Sequence, residues 1–158
     1  MRTLAALTLL AGSAAAAAPV PKHLMKPPET AQAKLQGEWN VEAIRLGELD
    51  ILAALGRQSG MSFEFRDDAL IAVTNTGDTV KTTTATVTWG TDGQIRATNQ
   101  QTADGTGKLI DGPQDSALGY ALDGDKLLLA TRSDWRQAAD PLRPGPNDMV
   151  FTLTRAKK

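Results

Sequence analysis

The sequence predicts an all-β fold, an eight-stranded antiparallel up-and-down barrel. Two observations support this prediction. Short segments rich in Thr, Val and Leu alternate apolar with polar residues between turn residues, and tight connections alternate with long ones, as in a meander whose successive turns lie at opposite ends. A closed barrel also removes the exposed edges of a flat sheet. A two-sheet sandwich is the alternative architecture, but it usually shows crossing connections.

The N-terminal segment has the pattern of a secretory signal peptide over residues 1–18. Arg2 supplies a short positive start, "LAALTLLAG" an apolar run and "SAAAAA" a small-residue cleavage region. We expect cleavage within residues 14–18 and an exported protein, periplasmic or secreted; an uncleaved anchor is the alternative. Residues 19–33 hold several prolines and His23, the sole histidine, and predict an extended, Pro-rich spacer before a domain spanning 34–158.

Eight predicted strands follow within that domain. In order they are EWNVEAIRL, MSFEF, ALIAVT, TVKTTTATVTW, QIRATN, SALGYAL, KLLLAT and DMVFTLT. In the first strand, Trp39, Val41 and Ala43 alternate against polar residues. One short helix is expected at "DILAALG" in the first long loop, where Asp50 can cap the start and Gly56 can end it.

The connections indicate which end of the barrel is closed. Tight turns are predicted at 66–68, 90–93 and 123–125, two of them containing an Asp-Gly pair. Long loops are predicted at 47–60, 100–114 and 132–147, and they share their end with the short turn Asn75–Asp78. One end is therefore expected to be closed and the other elaborated.

Trp39 and Arg155 are expected to meet at the closed end. The first predicted strand begins there and the last one finishes there, with Met149, Phe151, Leu153 and Arg155 on one strand face. A guanidinium over an indole face is a favourable stack. We therefore interpret Gly37, Trp39 and Arg155 as a structural plug and not as a binding site.

At these residues the chain resembles the lipocalin (calycin) signature, in which a Gly-x-Trp on the first strand packs with an Arg at the end of the last. The segments "KLQGEWNVEAIRLGEL", "YALDGDKLLLA" and "VFTLTR" resemble more closely an uncharacterised lipocalin-like small-domain family, abundant as paralogues in planctomycete bacteria, with an LQGxW start. The resemblance covers roughly residues 34–155. It implies the barrel fold and an export signal, but no known activity. The chain departs from the family pattern at "ILAALGRQSG" and "SDWRQAADPLRPGPND".

Composition excludes several kinds of chemistry. The chain has no cysteine, which excludes disulfides and thiolate metal sites. Its formal net charge is −1 and the sequence contains no basic run, which disfavours nucleic acid and anionic membranes as partners. "DGTGKL" lacks residues of a phosphate-binding loop, and "DGDK" lacks those of a calcium loop. No histidine within the domain can activate its hydroxyl groups. We expect a protein that is not an enzyme and holds no cofactor or metal.

Two functional readings remain. The first is an exported monomer that binds a small apolar or amphipathic ligand in a cavity lined near the mouth by Met61, Phe63, Leu129, Met149 and Phe151. Trp135 lies among arginines in the last long loop. It either contacts an amphipathic or anionic ligand or a protein partner, or folds back over the mouth. The second reading is a filled barrel that acts as a cell-surface protein-interaction module. We predict that the threonines of TVKTTTATVTW face solvent, where threonine is common in strands, in preference to forming a row that binds a lattice or a sugar.

Overall fold

The computed structural model describes residues 30–56, 59–90 and 93–157. The predicted signal peptide, residues 19–29 of the predicted spacer and the centre of the 90–93 turn lie outside this part of the chain. The helices are α1 (Ala31–Leu35) and α2 (Ile51–Leu55). The strands are β1 (Gly37–Leu46), β2 (Leu49–Asp50), β3 (Ser59–Arg66), β4 (Ala69–Thr76), β5 (Thr79–Trp89), β6 (Gln94–Asp104), β7 (Leu109–Asp123), β8 (Lys126–Arg132) and β9 (Asp148–Arg155).

The strands close into the predicted eight-stranded antiparallel barrel. The sheet runs from β1 through β3 to β9 in chain order, and β1 also pairs with β9 from Trp39↔Arg155 to Leu46↔Met149. The short β2 pairs only with the end of β1. All eight predicted strands are present, so the alternation of apolar and polar residues is confirmed as the signal that specifies the fold.

The inward face of β1 changes in the middle of the strand. Trp39 and Val41 are buried as predicted, but a register shift between Val41 and Ala43 makes Ile44, and not Ala43, the next buried residue. A β-bulge inserts one residue and so reverses the alternation beyond it. The prediction that Ala43 continues the inward row is therefore wrong.

The closed end carries a helix that the sequence did not reveal. Thr30 caps α1 by accepting a hydrogen bond from Ala33 N–H (3.2 Å), and Leu35 at its end is fully buried. The side-chain amide of Gln36 both donates to the Asp67 carbonyl and accepts from the Asp67 N–H (3.3 and 2.7 Å), which ties the helix to the β3–β4 turn. The helix begins within the segment that was expected to be a spacer.

The open end has two gaps in its strand pairing, and each is covered by a long connection. β1 pairs with β3 only over Gly37–Asn40, and α2 packs Ile51 and Leu52 against the core beside that gap. Asp50 caps α2 through Ala53 N–H (3.0 Å) and Gly56 ends it, as predicted. β7 pairs with β8 only from Gly119 onward, and the loop 133–147 covers the gap above. Neither helix of the described residues is long and apolar enough to cross a membrane.

The predicted long loop at 100–114 is instead the end of an extended hairpin. β6 and β7 continue to Asp104 and Leu109 with several register shifts, and β6 stays paired with β5 as far as Lys81↔Asp104. This end of the β6–β7 hairpin, residues 100–114, is called the arm. Gly112 and Pro113 made this segment look like a loop. Over Leu109–Leu118, however, β7 pairs only with β6, and proline is tolerated in a strand with one free edge.

Candidate functional site

The closed end is built around Trp39. Its ring is fully buried, its Nε1 donates to the Leu35 carbonyl oxygen at 2.9 Å, and the Arg155 guanidinium carbon lies 4.2 Å from the ring centroid. Arg155 also donates to the carbonyl oxygens of Gln36 (2.9 Å) and Lys34 (2.7 Å). These contacts join the two ends of the domain and leave no room for a ligand between the two side chains.

Gly37 allows this packing. Its φ of +107° lies in the region that side chains disfavour, whereas a Cβ at this position would make only an ordinary van der Waals contact with Arg155 Nη1, at 3.5 Å. Four of the five residues of the "LQGEW" segment thus have a structural partner: Leu35 in the core, Gln36 on the β3–β4 turn, and Gly37 and Trp39 against Arg155.

Trp89 packs near the same end, as expected. Its ring lies 5.8 Å from that of Phe65, and it contacts the core. Its indole Nε1 is buried without a hydrogen-bond partner among the described residues. Below the midpoint of the barrel, the interior is filled by large apolar side chains that are almost fully buried, among them Ile95, Leu127 and Leu153.

The upper half of the barrel is hollow. A cavity of about 180 Å³ lies between the strands and the last long loop. Its walls are formed by side chains from β3, β4, β5, β6, β7, β9 and that loop: Met61, Phe63, Leu70, Ala72, Thr83, Ala85, Gln100, Ser116, Leu118, Trp135 and Phe151. The barrel is therefore filled at the closed end and open to a small molecule towards the mouth.

Four of the predicted cavity residues line this space, and two do not. Met61, Phe63, Trp135 and Phe151 are in its wall. Leu129 is fully buried in the core, where it pairs across the strands with Phe151, and Met149 packs against the core near the end of β1. The prediction placed these two at the mouth from strand parity alone, which fixes the face of a side chain but not its neighbours.

Trp135 folds back over the cavity. Its ring lies 6.1 Å from Phe151, whose ring in turn meets Phe63 edge-on at 5.6 Å, so three aromatic rings form one wall. Trp135 has a φ of +61°, a conformation that is costly for a bulky residue. Its N–H donates to the Arg132 carbonyl (2.9 Å), and its carbonyl accepts from Ala117 N–H (2.8 Å). The backbone of Trp135 is therefore held on both sides, while 39% of the residue stays exposed to solvent.

The opposite wall carries the polar groups, and the sequence did not reveal them. Ser116 Oγ donates to Gln100 Oε1 at 3.1 Å, and the Thr83 hydroxyl bonds that of Thr102 at 2.9 Å. Gln100 faces inward because the ladder between β6 and β7 shifts beside Asn99, whose φ is +54°. Asn tolerates this conformation better than most residues, and that is the one signal from which the change of face could have been suspected.

Reactive groups are sparse in the described part of the chain. No three His, Cys, Asp or Glu side chains come together there in a way that could hold a metal ion. The "DGTGKL" segment forms the tip of the arm, where Thr106 Oγ1 (2.6 Å) and the N–H of Lys108 (3.0 Å) donate to the Asp104 carboxylate. These hydrogen bonds hold the pKa of Asp104 below its ordinary value. The backbone donors of this turn therefore serve its own carboxylate.

Comparisons with protein-family models, with curated proteins and with solved structures found no match to this chain. The described residues therefore define the class of this chain by fold alone, as a closed eight-stranded antiparallel β-barrel.

Proposed function

We propose that this chain is an exported, monomeric, lipocalin-like barrel that binds a small apolar or amphipathic molecule in the cavity beneath Trp135. The role is binding and not catalysis. One observation carries the proposal: large side chains fill the closed end, while the upper half of the same barrel keeps a cavity of about 180 Å³ between three aromatic rings and three polar side chains.

The position of Trp135 supports this proposal. A non-glycine residue at positive φ costs roughly 1–3 kcal/mol, and such strain is commonly found where a side chain is held for a function. The two segments that depart from the family pattern, around α2 and at 133–147, cover the two gaps at the mouth. They are therefore placed to shape access to the cavity.

The first experiment follows intrinsic fluorescence during titration with a mixed panel of fatty acids and small aromatic compounds. A ligand is expected to change the emission of the wild type and of Trp89→Phe, because Trp89 lies at the closed end. The change should be lost in Trp135→Phe. A signal that persists in Trp135→Phe and disappears in Trp89→Phe would place binding at the wrong end of the barrel.

Native mass spectrometry of the protein purified from its own host gives a second test. We expect an adduct of one small molecule, released at higher collision energy.

A second candidate function, a protein-contact role, is favoured by one observation: Leu109 and Ile110 on the arm are about half exposed (53% and 47%). A ligand-free mass together with a bound protein partner would favour that candidate.

A further inference from the structure

We infer that the cavity selects an uncharged molecule that presents one hydrogen-bond-accepting oxygen to the side-chain amide of Gln100. This inference rests on the proposed function and specifies the ligand class. It is drawn from three features of the cavity: its charge, its polar wall and its size.

The first feature is the absence of charge. None of the eleven residues that line the cavity is Asp, Glu, Lys, Arg or His. An ionised group loses its hydration when it enters such a space and gains no opposite charge in return. A carboxylate or ammonium ligand would therefore bind with its charged group outside the cavity, and the cavity itself favours a neutral molecule.

The second feature is the direction of the polar wall. Thr83, Gln100 and Ser116 lie on the neighbouring strands β5, β6 and β7, opposite the rings of Phe63 and Phe151. The Ser116 hydroxyl donates a hydrogen bond to the side-chain amide oxygen of Gln100, while no described residue accepts a hydrogen bond from the amide nitrogen. A ligand that places a carbonyl or hydroxyl oxygen beside that nitrogen, with its apolar part against the rings, would satisfy both walls.

The third feature is size. An apolar cavity of about 150 Å³ in another protein holds benzene, so a cavity of about 180 Å³ has room for one ring with a short substituent or a short chain. It is smaller than the roughly 300–1,000 Å³ of pockets that enclose drug-sized molecules. A long fatty acid would not be enclosed.

Three probes separate these features. Cumene, acetophenone and benzoate share the same number of non-hydrogen atoms and nearly the same shape, but they are apolar, neutral with an acceptor oxygen, and anionic, respectively. We would titrate each into the ¹⁵N-labelled domain at neutral pH and follow the amide resonances by NMR. Cumene is more apolar than acetophenone and loses less hydration on binding, so the readout is the ratio of the cumene to the acetophenone dissociation constant, called here the preference for acetophenone. A hydrogen bond from Gln100 should raise this preference roughly two- to tenfold. Benzoate should cause no saturable shift.

A matched pair of variants tests the role of Gln100. Gln100→Leu removes the amide at nearly constant volume and should lower the preference for acetophenone roughly two- to tenfold. Gln101→Leu makes the same change at the adjacent, exposed position and should leave the preference intact. In the wild type, the side-chain NH₂ resonances of Gln100 should shift with acetophenone and not with cumene, a readout that needs no variant.

Several outcomes would overturn the inference. A preference for acetophenone that is unchanged in Gln100→Leu, or tightest binding by benzoate, would each refute the role of Gln100 while leaving a ligand-binding cavity in place. If none of the three probes binds, the proposed function itself fails.

Discussion

The contact between Trp39 and Arg155 gives a quantitative test of how the barrel is closed. Trp39 is fully buried and donates a hydrogen bond to Leu35 O, so Trp39→Ala should lower the free energy of unfolding by about 3–5 kcal/mol. Arg155→Ala removes two charge-assisted hydrogen bonds to carbonyl oxygens and should cost about 2–3 kcal/mol. Its ion pair with Asp125 adds little, because the Asp125 side chain is 85% exposed.

The two substitutions should not be additive. The guanidinium carbon lies 4.2 Å from the ring centroid, and about a third of the Arg155 side chain is exposed (34%). A partly desolvated cation–π contact contributes about 1–2 kcal/mol. The loss of unfolding free energy in the double variant should therefore be smaller than the sum of the two single losses by that amount. Arg155→Lys should recover only part of the loss, because an ammonium group cannot reproduce the planar fork.

Urea unfolding followed by circular dichroism measures the four free energies without depending on tryptophan emission. The control cycle combines Trp39→Ala with Arg66→Ala, since Arg66 is exposed and pairs with Glu64 on the surface (2.6 Å). That cycle should show no coupling. Additivity within about 0.5 kcal/mol for Trp39 and Arg155 would refute the stacking as an energetic contact.

Four further predictions follow from the loops, the arm and the N-terminus. Trp135→Gly should be more stable to urea than Trp135→Ala by about 1 kcal/mol, because glycine adopts positive φ without strain; equal stabilities would show that the backbone relaxes. Gly119→Ala should lower the free energy of unfolding by about 1–3 kcal/mol, because the Ala139 carbonyl oxygen occupies the site of the new Cβ; thermal melts measure this. The control, Gly112→Ala, places its Cβ in open space and should leave the stability almost unchanged. The hydrogen bonds of the arm tip should be retained above the ordinary pKa range of the Asp104 carboxyl and lost as the pH falls through its lowered pKa. The protection factor of the Lys108 amide, corrected for the intrinsic pH dependence of exchange, checks this, and a protection factor that does not change with pH would contradict it. The mature N-terminus should lie between residues 15 and 20, which the intact mass of the exported protein measures. A mass that still includes residues 1–14 would contradict the predicted export signal.

The strands and the tight turns could be predicted because local chemistry specifies them. Alternation of apolar and polar residues places Phe63 and Phe151 inside the barrel, and Gly124 and Asp125 form the tight turn between β7 and β8. Asp50 and Gly56 bound α2 as capping rules require. Each of these signals acts over a few residues, so it can be read without knowing the fold.

The features that were missed depend on tertiary contacts. The bulge beyond Val41 and the shift beside Asn99 change which side chains face inward; the bulge has no distinctive composition, and the shift is marked only by a single Asn. The polar wall at Gln100 could not be predicted for this reason. Helix α1 is too short to be stable alone and is held by its contact with the Asp67 turn, which lies far away in the sequence.

The central claim is that a ligand occupies the cavity beneath Trp135. Isotope-filtered NOE spectra of the labelled domain saturated with acetophenone test it most directly. We predict intermolecular NOEs from the ligand to the Met61 and Ala72 methyl groups and to the Trp135 indole protons. NOEs to the closed-end methyl groups of Ile95 and Leu127 instead, or no intermolecular NOE at saturating ligand, would contradict the claim.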